Sequence, residues 1–351
     1  MRNLKRMGIL FVVLMMFAMA ACGKKDQQQT AGQAAPQQAT KVSVSQTSSD
    51  QSPWQKAATS FANFLNQKSS GKYEAQVYAS ASLSQGNYTI MMEQIQSGAL
   101  QVAVESLTVL GAYNEKAGIL NMPFTFADVD HVLRFLELKD PTWEGWMKDF
   151  EKSNFVILAA SPRPMRQINN NVRLFKTPAD MDGIKFRVPA NPMYVAIFET
   201  LGAKPVPAPS SEIYTGIQLG TFNGEDNSVQ TQYDFKTFEN AKLMSIVNYI
   251  GDLSFIFMNR DFYYGASPED RKMFHDAGQE FVKTDVAENK TYYNVAYEAG
   301  LKLGVTFYVM PEADKLLFKQ KLAPFYADYE KKFTAAEWKS FFDAVQRTAP
   351  K

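Results

Sequence analysis

The chain has 351 residues, 46% of them hydrophobic and 21% charged, with a formal net charge of +1. This is globular composition, and the length suits two domains or lobes. Near-neutral charge, with no arginine-rich stripe interleaved with aromatics, gives no case for a nucleic-acid partner, and a single cysteine, Cys22, excludes an intrachain disulfide.

In chain order, Arg2, Lys5 and Arg6 precede an apolar run from Met7 to Met19, which is too short for a comfortable membrane span. Met19-Ala20-Ala21-Cys22 resembles the lipobox of bacterial lipoproteins. That resemblance implies a signal peptide over 1–21, cleavage before Cys22, and acylation of its thiol, so that lipid holds the protein on a membrane. From 22 to 40 the chain is mostly Lys, Gln, Ala, Gly and Pro and reads as a flexible tether.

The folded part begins near Lys41. Alternation marks Lys41 to Gln46 as a strand, and Pro53 opens a helix with Trp54, Ala57, Ala58, Phe61 and Leu65 at helical spacing. A strand over Tyr73 to Ala79, a helix over Thr89 to Ser97 stopped by Gly98, and a strand over Gln101 to Glu105 follow. This β-α-β-α-β start is the unit of a parallel sheet covered by helices. Helices are predicted over Asp128 to Leu138, Pro141 to Lys152, Met193 to Leu201 and from Ser210 or Ser211 to about Leu219. Strands are predicted over Phe155 to Ala159, Ile184 to Val188, Met244 to Val247, Phe255 to Met258 and Val305 to Val309. Ser267-Pro268-Glu269-Asp270 starts a helix that runs without proline to about Leu303, and the chain is helical again from Pro311. Asn223 to Asn227 reads as a turn.

The chemistry-bearing residues favour binding over catalysis. His131 and His275 have no partner at metal-ligand spacing, and no nucleophile elbow, phosphate loop or dinucleotide turn is present, so no cofactor and no enzymatic activity are expected. Arg187 stands at a strand end before Pro189. It reads either as a solvated strand edge or as a planar, permanently charged fork for a carboxylate. Arg166 sits in a similar polar stretch. Tyr214 and Phe235 read either as core or as cleft lining.

Five ordered segments resemble the extracytoplasmic solute receptors of TRAP transporters: Arg166-Gln167 with Asn170, Asp182 to Pro189, Leu201-Gly202-Ala203 with Pro205 and Pro207, Glu212-Ile213-Tyr214 with Gln218, and Asn223 to Asn227. The resemblance implies an α/β, two-lobe, periplasmic-binding-protein-like fold with a ligand cleft between lobes and a long lobe-bridging helix. It implies lobe I from 41–163 plus about 253–290, and lobe II from 164–252 plus about 291–351. It implies capture of a small organic acid outside the cytoplasm for the membrane subunits of a TRAP permease. Arg187 would bind the carboxylate, Arg166 would contact or steer it, Asn227 would hydrogen-bond it, and Glu105 would meet its other end. Ser210 and Tyr214 complete the expected ligand set. Ser228 stands where the family has proline, which leaves that loop freer, and Ser210 replaces a bulky apolar residue, which opens the pocket. An adaptor that presents ligand to a sensor, or an enzyme acting on a carboxylate, are the alternatives.

Overall fold

The structure, a computed structural model, describes residues 38–350; the signal peptide, Cys22 and most of the tether lie outside the described residues. Eleven strands form among them, β1 (Thr40–Gln46), β2 (Tyr73–Tyr78), β3 (Val102–Ser106), β4 (Phe155–Pro162), β5 (Arg166–Asn170), β6 (Lys185–Val188), β7 (Lys204–Pro207), β8 (Gly224–Asn227), β9 (Leu243–Ile250), β10 (Leu253–Asn259) and β11 (Thr306–Val309). They divide into a five-stranded sheet ordered β2-β1-β3-β10-β4 and a six-stranded sheet ordered β11-β9-β5-β8-β6-β7. Each sheet is the centre of one lobe.

The chain passes between sheets over short spans. Arg163, Pro164 and Met165 carry it from β4 to β5, and Gly251 and Asp252 carry it back from β9 to β10. A third link is the helix Pro268–Lys302, 35 residues long and so roughly 50 Å at 1.5 Å per residue. Its start is a capping box: Ser267 Oγ accepts from Asp270 N at 3.2 Å, and the Asp270 carboxylate accepts from Ser267 N at 3.4 Å. Phe274, Ala277 and Phe281 near its start join the first-lobe core with Phe61 and Leu65. Ala296, near its end, joins Phe238, Met244 and Val305 of the second lobe.

Local chemistry explains the first lobe. Pro53–Lys68 is helical because Ser52 caps it, its Oγ accepting from Gln55 N at 3.2 Å, and because Pro53 takes the first turn, where no donor is needed. Its Trp54, Ala57, Ala58, Phe61 and Leu65 are buried. Each fully buried large apolar side chain contributes about 1.5–3 kcal/mol, far more than the cap.

Three differences from the sequence reading stand out, two of them at the site. β5 and β8 are strands, although neither has an apolar period; Asn223 to Asn227 is not a turn but leads into β8, whose four residues are all buried. The Ser228 loop is not freer, because Ser228 Oγ accepts from Thr231 N at 3.2 Å and caps the helix Val229–Asp234. The final helix, Ala335–Thr348, packs on the first-lobe helices Val129–Glu137 and Pro141–Lys148, with His131 Nε2 bonded to Val345 O at 2.8 Å and Arg134 Nε donating to Thr348 O at 2.8 Å. The C-terminal segment therefore does not belong to one lobe alone: its apolar stripe, with Phe341, Ala344 and Val345 buried, closes over lobe I.

Candidate functional site

Strand direction brings the site together. β6 and β8 run parallel, and β5 runs antiparallel to β8 with Gln167 opposite Asn227. The carboxyl ends of β6 and β8 and the amino end of β5 therefore share one edge, which carries Arg187, Asn227 and Arg166. In the other sheet β1 and β3 run parallel, β10 runs antiparallel to β3, and Ser254 lies opposite Ser106. That edge carries Thr47, Glu105 and both crossings. The two edges enclose a cleft lined by Thr47, Ser48, Trp54, Tyr88, Glu105, Arg163, Arg166, Arg187, Ser210, Asn227, Thr231 and Phe235, among others.

Its cavity measures about 40 Å³. Pockets that enclose small organic ligands run to about 300–1,000 Å³, so the lobes must part to admit one. Hydrogen bonds join them at the rims: Ala190 N donates to Tyr88 OH at 3.1 Å, Asn191 Nδ2 to Thr108 O at 2.7 Å, and Ser49 Oγ to Asp234 Oδ1 at 3.3 Å. A larger groove of about 520 Å³ runs along the edge strand β4, but none of its charged lining residues is buried. The candidate site is the smaller cleft, where the buried charges are.

The two predicted arginines sit in different environments. Arg166 is 2% exposed and is held on several sides: Nε donates to Asp226 Oδ2 at 2.7 Å, Nη1 to Asp252 Oδ2 at 3.1 Å and Thr108 Oγ1 at 3.3 Å, and Nη2 to Asp226 O at 2.6 Å. Burial would weaken its hold on the proton, but Asp226 and Asp252 raise it well above the ordinary arginine value. Tyr249 also donates to Asp226. Arg187 is 4% exposed and uses only Nε, which donates to Ala208 O at 2.8 Å. Among the described residues no acceptor takes up its Nη1 or Nη2, and no carboxylate pairs with it. Burial lowers its affinity for the proton, against the pull of Glu225, its neighbour in register on β8. Glu225 is itself occupied, accepting from Thr237 Oγ1 at 2.6 Å and Asn227 Nδ2 at 2.7 Å. A buried guanidinium fork with two free arms is a socket for an oxyanion.

The opposite wall carries Glu105, also 4% exposed. Its carboxylate accepts from Thr47 Oγ1 at 3.1 Å and Ser106 N at 2.7 Å, and burial pushes its pKa up to about 7. Ser210 and Asn227 line the cleft as well. Tyr214 does not: it departs from the expected ligand set, because Ile213 and Ile217 turn the inner face of their helix to the core and leave its hydroxyl donating to Glu239 at 2.8 Å at the surface. Phe235 does line the cleft.

Sequence reasoning missed Arg163. It lies between Pro162 and Pro164 in the first crossing, donates to Asp252 Oδ2 at 2.8 Å and to Thr231 Oγ1 at 2.9 Å, and its guanidinium lies 4.4 Å from the Trp54 ring centre. Burial would raise the Asp252 carboxyl, but Arg163 and Arg166 together hold it below the usual aspartate range. The one signal in the sequence was an arginine flanked by prolines, which fixes an extended backbone.

The fold agrees with what the chain is similar to. A family model described as "Bacterial extracellular solute-binding protein, family 7" matches residues 44–332. The C4-dicarboxylate-binding protein DctB of Bacillus subtilis is 26% identical over 280 residues, 78% of this chain and 77% of that protein. The 2,3-diketo-L-gulonate-binding periplasmic protein YiaO of Escherichia coli is 26% identical over 224 residues, 64% and 67%. Two solved TRAP periplasmic solute binding proteins share the architecture. That of Anaerococcus prevotii, with bound D-glucuronate, has a TM-score of 0.82 at 24% identity, covering 88% of this chain and 98% of that one. That of Bordetella bronchispeptica, with density assigned to pantoate, has a TM-score of 0.81 at 25% identity, covering 89% and 100%. The match over most of the chain, on a two-lobe α/β frame, makes this protein a member of family 7 of the bacterial extracellular solute-binding proteins, the TRAP solute-binding receptors.

Proposed function

We propose that this protein captures a small organic acid outside the cytoplasm and delivers it, chemically unchanged, to a TRAP permease. The observation that carries the reading is Arg187, buried at a strand end with two unclaimed arms facing the cleft. The relatives point the same way, being described as binding a dicarboxylate and a diketo-gulonate, and the neighbouring structures as holding glucuronate or pantoate. Arg187 is the carboxylate anchor. Asn227 and Ser210 supply further polar contacts. Arg166 acts by holding Asp226 and Asp252 in place and has at most one donor left for a ligand. Closing the lobes removes water from the anchor and strengthens each charge-assisted bond, worth on the order of 1.5–3 kcal/mol.

The signal peptide and Cys22 motif support a lipid anchor on the extracytoplasmic face of a membrane. Native mass spectrometry of protein purified without refolding tests the receptor reading. A co-purified carboxylic acid is the expected result, and a bound molecule without an acidic group would remove the basis for the anchor. Incubation with that acid followed by mass analysis should return it intact; a converted product would favour an enzyme.

A further inference from the structure

The charges buried around the cleft do not balance. Arg163, Arg166 and Arg187 face Glu105, Glu225, Asp226 and Asp252, all buried. Asp226 and Asp252 are matched by Arg163 and Arg166. Arg187 has only Glu225 beside it, without a direct pair. Glu105 is left over: it takes two hydrogen bonds, but among the described residues no cation pairs with it. A ligand carboxylate brought to Arg187 adds a further negative charge to a site closed from water, and an unmatched buried charge is costly enough that the group neutralises instead.

We propose that Glu105 takes up a proton when the ligand carboxylate binds, so that the cleft accepts one carboxylate together with one proton and disfavours a second carboxylate. This rests on the receptor reading above. Glu105 is the group placed to do it. The charged groups that face it are Arg163 at the end of β4, already held by Asp252, and Asp252 itself beside β10; Arg166 and Arg187 lie on the opposite wall. Asp252 is held ionised by its two arginines; Glu225, which burial also raises, is drawn back by its bonds from Thr237 and Asn227 and by Arg187 beside it, whereas burial brings Glu105 to about 7. Once protonated, Glu105 becomes a hydrogen-bond donor as well as an acceptor. It then suits a hydroxyl or carbonyl at the far end of the ligand, which favours hydroxy- or keto-monocarboxylates over dicarboxylates.

Calorimetry at one pH in two buffers of different ionisation enthalpy counts the protons taken up. The probes are D-glucuronate, D-galacturonate, pantoate and succinate. At pH 8 the wild type should take up close to one proton per bound monocarboxylate, and close to none at pH 5.5. Its affinity should fall by up to about tenfold per pH unit above 7, as linkage requires. Succinate should bind at least about tenfold more weakly than the best monocarboxylate at pH 8. Glu105→Gln should abolish the uptake and flatten the pH profile, while Glu105→Asp, which keeps the acid, should retain both. Binding without net uptake at pH 8, uptake undiminished in Glu105→Gln, or succinate bound as tightly as the monocarboxylates overturns the inference and leaves the receptor reading standing. Failure of the wild type to bind any of the four at millimolar concentration overturns the receptor reading itself.

Discussion

Replacing the two arginines by methionine should give opposite signatures. Arg187→Met removes a buried cation whose Nη arms no protein group satisfies; the one hydrogen bond lost is to Ala208 O, and Glu225, kept by Thr237 and Asn227, loses a nearby charge but no direct pair. The free protein loses one hydrogen bond, about 1 kcal/mol, and is relieved of a desolvated charge, so its Tm should stay within a few degrees of wild type. Ligand binding loses a desolvated charge pair, about 2–5 kcal/mol, which is roughly thirty- to several-thousand-fold in Kd at 1.4 kcal/mol per tenfold. Arg166→Met strands Asp226 and shifts Asp252 onto Arg163 alone. Breaking a buried pair costs about 3–5 kcal/mol, a Tm drop on the order of 10 °C in a chain of this size. Scanning fluorimetry of the free proteins and calorimetry with the native ligand separate the two effects. An Arg187→Met protein that melts far below wild type yet binds normally, or an Arg166→Met protein as stable as wild type, would refute the division of labour.

Three further outcomes are expected. Gly224→Ala should disrupt the site from within, because a Cβ there would lie 2.0 Å from the Asn169 carbonyl oxygen; β8 must shift from β5, and both Tm and affinity should fall, measurable on one preparation. Stability should rise as pH falls from about 8 towards 4.5: Glu105 at about 7, with Asp234 and Asp285 at about 6, bind protons in the folded state that the unfolded chain does not hold in that window. Below about pH 4 the sign reverses, because Asp252, held low by Arg163 and Arg166, must then be protonated; a Tm series across pH 3–8.5 should show the maximum, and a flat or inverted profile would contradict it. Cys22→Ala should move the protein from the membrane fraction to the soluble one and abolish incorporation of a labelled fatty acid; retention at the membrane would contradict the lipid anchor.

Much of the frame was legible from local signals. The helix Pro268–Lys302 announced itself by the run Ser267-Pro268-Glu269-Asp270 and by the lack of a later proline. Pro53 and the helical spacing of Trp54, Ala57, Ala58, Phe61 and Leu65 did the same for the first helix, and alternation marked β1. These features depend on neighbours within a few residues, so the sequence contains their cause. Arg187 was legible as a strand-end arginine.

The site was less so. β5 and β8 are central, buried strands built from Arg166-Gln167-Ile168-Asn169-Asn170 and Gly224-Glu225-Asp226-Asn227. Such residues belong inside only if partners far along the chain satisfy them, and here they do: Arg166 with Asp252, Asn169 with Ala241 O, Glu225 with Thr237. Hydropathy cannot register that, because the compensating groups meet only when the sheet forms. The same holds for Arg163, whose three neighbours, Trp54, Thr231 and Asp252, come from different parts of the chain. The sequence by itself determined the longer helices, the strands of the first sheet and the residue types of a carboxylate receptor. Tertiary structure alone decided which arginine is spent on the protein and which is left free, since that depends on which buried carboxylate lies within reach once the two lobes meet.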